Sequence, residues 1–257
     1  MMQNTFIYDG SFNGLLTAIF EIYELKIKNV RIVAKHYYEA SFFEEYHEVI
    51  TNEEKANRVW KAVIKYGKPI DAHLIYRCFL SEINGIEQNL FNYIKILISK
   101  KQSIAKDYGQ ADVFHLAEVN KKIGREKHRM DAFVRFRKTK DNIYFASISP
   151  DFNVLPLLEK HFQKRYADQL WCIYDICRNY GLYYDLNSVK IVHFDLPENI
   201  LNTSDEIFQK EEIQYQKLWK NYFESTNIKA RANQKLHEQH VPRRYWKYLS
   251  EKNLLNW

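Results

Sequence analysis

The sequence predicts an α+β fold, an antiparallel sheet flanked by an N-terminal helical region and by C-terminal helices. Three observations predict it. Apolar residues recur with helical spacing through most of the first half, the pattern switches to alternation at Ala132, and helical spacing returns after Pro197. Helices segregated around a block of strands are the mark of this class. The chain therefore reads as residues 1–130, mainly helical with a short strand pair; 131–197, a sheet core ordered strand-strand-helix-strand-strand-strand; and 198–257, C-terminal helices with a basic, aromatic tail. The three parts are read as one domain.

Each element has a local reason. "FIYDGSFNGLLTAIFEIYE" opens on a short apolar run, turns at Asp9-Gly10 and offers Ser11 as an N-cap. Phe12, Leu15, Leu16, Ile19, Phe20 and Tyr23 then share one helix face. "NVRIVAKHYY" reads as a strand, and a helix is expected over Glu53–Tyr66, ended by "KPI". Residues 71–129 are helix-compatible, and Gly85 and "DYGQAD" divide them into three helices. "AFVRFRKTKDNIYFASIS" alternates on both sides of a polar turn, which predicts a hairpin with Phe133, Arg135 and Arg137 on one strand face. Asn153 is placed to cap "VLPLLEKHFQKRY", where Pro156 is tolerated in the first turn. "LWCIYDIC", "YGLYYDL" and "VKIVHFDL" supply three more strands. After the linker "ENILNTSDE", the apolar spacing from Phe208 to Phe223 predicts a last long helix.

Composition fits a globular protein, with 46% hydrophobic and 27% charged residues, too apolar for a disordered chain. No run of about 18 apolar residues exists, so no membrane span is expected. The start, "MMQNTFIYDG", lacks the basic and apolar regions of a secretory signal. Three cysteines, Cys78, Cys172 and Cys177, form no paired framework and read as free thiols of a cytoplasmic protein. They lack the spacing of a zinc or iron–sulfur site, and "HEQH" (His237 to His240) lacks the four-residue spacing of a zinc helix. No metal and no cofactor is expected.

The net charge of +6 is modest, but it is concentrated. Residues 121–137 hold seven basic side chains against two acidic ones, and residues 229–247 hold six against one, so the remainder is slightly acidic. Such concentration points to a polyanionic partner; two solvated helix faces would look the same from charge alone. In the tail, Pro242 suits the start of a short helix on which Arg243 and Lys247 stand at i and i+4 beside Arg244. Leu249 with Tyr245 or Trp246 would dock this helix, leaving the cations for phosphates and one ring for an unpaired base, worth about 1–3 kcal/mol. The expected nucleic-acid contacts are Arg125, Arg129, Phe133, Arg135, Arg137, Arg231, Arg243, Arg244, Tyr245, Trp246 and Lys247. His128 is the candidate acid–base group, with Asp131 or Asp151 as its carboxylate; Lys127, His128 and Arg129 would equally suit a helix C-terminus.

Four ordered blocks, "YDGSFNGLLTAIFEIYE", "EKHRMDAFVRFR", "SPDFNVLPLLEKHFQKRYADQLWCIYD" and "NQKLHEQHVPRRYWKYL", resemble a bacterial family of unknown biochemical function grouped with DNA metabolism proteins. The resemblance runs from Tyr8 to Leu249. It implies a gene neighbourhood shared with a radical-SAM protein of DNA repair or modification, and in some members a fused uracil-DNA glycosylase-like domain. That domain's motifs are absent here. By the match Tyr8, Asp9 and Gly10, then His128, Met130, Phe133, Arg135 and Phe136, then Pro150 and Asp151, and Pro242 through Trp246 stand at motif positions. Phe152 stands where relatives often carry His.

Three functions follow as expectations, in this order. The first is an accessory protein that binds single-stranded or damaged duplex DNA and acts with the radical-SAM partner. The second is an enzyme on DNA or nucleotides with His128 as acid or base. The third is a protein interaction module.

Overall fold

The computed structural model describes residues 4–40, 45–193, 207–209, 211–226, 234–249 and 252. The linker at 198–206 and Arg231 lie outside the described residues. The chain divides into two compact units, Met1–Gly124 and Arg125–Trp257.

In the first unit β1 (Asn4–Tyr8), β2 (Val30–Ala34) and β3 (Tyr46–Glu48) form a sheet ordered β2-β1-β3. Both of its pairings are parallel, and three strands stand where a short strand pair was expected, so the antiparallel description does not extend to this part of the chain. The reason is the connection: α1 (Phe12–Glu24) lies between β1 and β2, and a crossover helix returns the chain in the same direction. Gly10 takes the left-handed conformation, φ 87°, that the turn requires. Ser11 caps α1 by accepting from the Gly14 N–H at 2.9 Å. Leu15, Leu16, Ile19 and Ile22 are buried, whereas Tyr23 is 43% exposed. Four helices complete the run: α2 (Glu53–Tyr66), α3 (Pro69–Phe79), α4 (Ile86–Lys100) and α5 (Ala111–Phe133). The last three match the predicted division at Gly85 and "DYGQAD".

In the second unit the order is β4 (Arg137–Lys138), β5 (Tyr144–Ile148), α6 (Leu155–Arg165), β6 (Trp171–Asp175), β7 (Tyr180–Tyr184) and β8 (Val189–Val192), as read from the sequence. The strands pair in chain order, and all pairs but one are antiparallel. The exception, β5 with β6, is again a pair joined by a helix, α6. All five residues of β6 are buried, as expected of the central strand. Phe145, Cys172, Tyr174 and Phe208 form a core on one side of the sheet. Burial pushes the Cys172 thiol, and that of Cys78 in the first unit, up to about 12. Two local expectations are corrected. Asn153 does not cap α6; Val154 occupies that place, and the Asn153 side-chain Oδ1 accepts from the Tyr180 hydroxyl. The predicted hairpin is shorter, because α5 continues through Phe133 and pairing begins at Arg137.

α7 (Glu212–Thr226) and α8 (Gln234–His240) precede a 3₁₀ turn over Arg243–Tyr248. No helix among the described residues is long and apolar enough to cross a membrane.

Candidate functional site at the C-terminal tail

The parallel pair β5–β6 gives the second unit an edge at which both strands end together, and such carboxyl edges are where α/β sheets gather ligands. Ser149, Pro150 and Asp151 leave β5 there, and Ile176, Cys177 and Arg178 leave β6. Asp175, fully buried, closes the second turn: one oxygen accepts from the Cys177 and Arg178 N–H groups, the other from the Arg178 guanidinium at 2.9 Å. Burial raises its carboxyl above the ordinary range against the pull of Arg178. Arg178 also donates to the carbonyls of Pro150 and Asp151, at 3.1 and 3.3 Å, and so ties the two loops together.

The pivot of the site is Glu126, on the face of α5 that also carries Met130 and Phe133. It is 1% exposed. Its Oε1 accepts from the Asp151 N–H at 2.9 Å and, in a very short bond, from the Tyr245 hydroxyl. Its Oε2 lies 3.4 Å from Arg244 Nη2 and 3.5 Å from Arg129 Nη1. Arg244 also donates to the Tyr245 oxygen at 2.7 Å and meets Asp151 Oδ2 at 2.5 Å. Burial and the adjacent Glu126 carboxylate hold the Tyr245 phenol above its ordinary range, so it remains a donor at neutral pH. Burial alone would lower the Arg244 guanidinium; the hydrogen bond to Tyr245 and the charges of Asp151 and Glu126 outweigh it and raise its pKa. One carboxylate therefore anchors the loop after β5, a helix and the tail.

The tail reaches this anchor as a 3₁₀ turn rather than an α-helix, which corrects the expected i, i+4 pairing of Arg243 with Lys247. With three residues per turn, Arg243 falls beside Trp246, 5.6 Å from its ring, and Arg244 shares a side with Lys247. Tyr245, 1% exposed, and Leu249, 2% exposed, are the docking residues. Tyr245 is thus unavailable for stacking on a base, and Phe133 packs against it with ring centroids 5.7 Å apart. Trp246 donates its indole N–H to the Val241 carbonyl. Arg243 pairs with Glu238 at 2.7 Å, and Lys247 lies over Tyr248.

The other predicted residues separate into two groups. Arg129 joins the anchor, and exposed Arg125 stands one helical turn before it. Arg135 and Arg137 do not form a strand-face stripe with Phe133. The guanidinium of Arg135 donates to the Ala132 carbonyl and lies 5.8 Å from the Trp219 ring; that of Arg137 sits 3.9 Å above Phe208. Burial lowers the Arg137 pKa despite the charge of Glu212. His128 is exposed. Of the carboxylates expected to serve it, Asp131 binds Lys127 at 2.6 Å and Asp151 binds Arg244. Neither is hydrogen-bonded to His128 among the described residues, which removes the geometric support for an acid–base pair.

The block of sequence that builds this site decides the affiliation. The chain belongs to the DUF4130 family. The family's profile, that of a domain of unknown function, matches residues 84–251, well over half of the 257, and takes in α5, the whole second sheet and the tail turn. No curated protein matched the chain. Sequence reasoning counted Glu126 as an offsetting charge and passed over Asp175 and Arg178. The signal for Glu126 was present: a carboxylate followed at i+4 and i+7 by apolar Met130 and Phe133 shares their face, on which Met130 is buried and Phe133 half-buried.

Proposed function

We propose that the chain is a DNA-binding accessory protein of DNA repair or modification, acting with a radical-SAM partner, in which the anchored tail sets Arg244 against a sugar–phosphate backbone. The observation that carries this reading is the position of Arg244. The Arg244 side chain is 43% exposed, and its Nη2 lies between buried Glu126, at 3.4 Å, and Asp151, at 2.5 Å, whose side chain is 49% exposed. A phosphate diester offers the same kind of paired oxygen acceptors and can replace that carboxylate. Arg129 shares a Glu126 oxygen with Arg244, so two guanidiniums meet at one carboxylate, and exposed Arg125 stands one helical turn before Arg129. The radical-SAM partner and the link to DNA rest on the resemblance of the sequence blocks.

Salt dependence of binding tests the reading. Each phosphate contact removed should flatten the log–log slope by about 0.9 on duplex DNA and by about 0.7 on a single strand. Arg244→Ala and Arg129→Ala are each expected to remove one such step. Arg135→Ala and Arg137→Ala, whose cations sit over rings, should leave the slope unchanged. Asp151→Asn removes the competing carboxylate and should tighten binding several-fold. Lack of retention on both DNA forms at low salt would rule the reading out.

A protein-docking role has separate support in α7, where Tyr215, Leu218 and Trp219 are 65%, 63% and 41% exposed at helical spacing. Association with the partner that survives high salt and nuclease would assign that helix to protein contact.

A further inference from the structure

The first unit contains a groove that the proposed DNA contact does not use. It measures about 480 Å³ and lies between α4 and residues 28–33, which lead into and form β2. Its apolar residues, Val30, Ile32, Val33 and Phe91, are all buried, so a ligand meets the polar side chains. Lys28, Arg31 and Lys95 are exposed there, and among the described residues no carboxylate lines the groove. The first unit as a whole carries sixteen basic and fifteen acidic side chains, so this absence is local. Elsewhere in the unit cations sit on carboxylates: Lys35 on Glu48 at 2.9 Å, Lys55 on Glu21 at 2.9 Å and Lys100 on Asp107 at 3.1 Å. Neither Lys28 nor Lys95 is ion-paired among the described residues; the Lys95 ammonium lies 6.0 Å from the Phe91 ring. The α4 wall is held in place from outside the groove. Asp112 accepts from Asn89 at 2.7 Å and from Asn92 at 3.1 Å, and Asn92 Oδ1 accepts from Gln88 Nε2 at 3.5 Å. The second N–H of the Gln88 amide is left for a ligand.

We infer that this groove binds a small molecule carrying two or more linked phosphoryl groups. Three cations around one concavity focus a positive potential in it, and a single monoanion would leave most of that charge uncompensated. Linked phosphoryl groups bring a negative charge each and acceptor oxygens enough for ammonium, guanidinium and amide donors together. The volume falls within the range of about 300–1,000 Å³ that small-molecule sites occupy. A nucleic-acid strand fits less well, because the groove's aromatic residue, Phe91, is 6% exposed and cannot stack on a base.

The test titrates the full chain with inorganic tripolyphosphate at physiological salt, without divalent cations, by isothermal calorimetry. Saturable binding is expected, weakened at least tenfold in a Lys28→Gln, Lys95→Gln variant, both positions being exposed on the surface. Citrate, a compact polyanion without phosphoryl groups, should bind at least tenfold more weakly than tripolyphosphate. ATP offers the same phosphoryl chain: binding as tight as that of tripolyphosphate assigns the groove to nucleotides, and tenfold weaker binding assigns it to free polyphosphate. Arg244→Ala should leave tripolyphosphate binding unchanged, which separates this groove from the DNA contact. The inference is overturned by any of five results: no saturable binding, unchanged binding in the double variant, equal binding of citrate, loss of binding in Arg244→Ala, or displacement of tripolyphosphate by an equal concentration of a single-stranded hexanucleotide.

Discussion

Glu126 accepts from a phenol, a backbone amide and the Arg244 guanidinium, and pairs with the Arg129 guanidinium at 3.5 Å. Tyr245→Phe keeps the ring and removes one donor, so it should cost the second unit about 1–2 kcal/mol. Glu126→Ala leaves the Tyr245 hydroxyl and the Asp151 amide without their acceptor and takes a carboxylate from Arg129 and Arg244, the latter keeping Asp151, for which about 3 kcal/mol is expected. Urea unfolding followed by a probe in the second unit should rank the variants in that order; equal midpoints would show that the carboxylate is not the anchor. At this scale the sequence was informative about which residues carry charge and silent about which charges are spent on one another. Arg243, Arg244 and Arg129 stand in basic runs, yet each meets a carboxylate that a count of charges treats as background. Tyr245 and Trp246 are neighbours of like character, and the 3₁₀ turn, not their identity, decides that Tyr245 goes inward.

The helical elements of the first unit are tied together by a second buried carboxylate, Asp71. It caps α3 by accepting from the Lys68 N–H at 2.7 Å, and its other oxygen accepts from the Tyr93 hydroxyl of α4 at 2.6 Å and from the Ile104 N–H at 3.2 Å. Burial would raise this carboxyl; the hydrogen bonds from Ser103, Tyr93 and the backbone outweigh it and hold the pKa below the ordinary 3.8. A carboxyl depressed in the folded state contributes stability in full above its unfolded pKa and loses it as pH falls through the folded one. Asp71→Asn should therefore lower the melting temperature near neutrality, and the gap from the unaltered chain should narrow below about pH 4. A gap independent of pH would exclude a role for the charge. Elements were legible where length and caps spoke: Ser11, Gly85 and Pro156 all sit at helix starts. Strand direction was not read from "FIY", because a short apolar run is the same in either direction; the helix between β1 and β2 was the available sign that the pair is parallel.

Across the molecule, charge and anchorage are separable, and the tail holds both. Residues 242–257 carry four cations against one carboxylate, half of the chain's net +6. The same segment inserts Tyr245 and Leu249 into the second unit and supplies two of the donors to Glu126. A polyelectrolyte contact would depend on the first property alone, since counterion release counts charges and not their support. A seated contact depends on both, because a guanidinium that is held in place loses less freedom on meeting phosphate than one on a loose segment. The two cases diverge in a pair of variants. Tyr245→Phe keeps every cation and loosens the anchor, so the seated contact predicts weaker DNA binding at every salt concentration with an unchanged slope. Removal of residues 242–257 should lower both affinity and slope, and hydrogen exchange at the Asp151 amide should quicken as the loop loses the tail that steadies its Glu126 acceptor. If Tyr245→Phe binds DNA as tightly as the unaltered chain while the truncated chain does not, the tail acts as a charged strand and Glu126 serves stability alone.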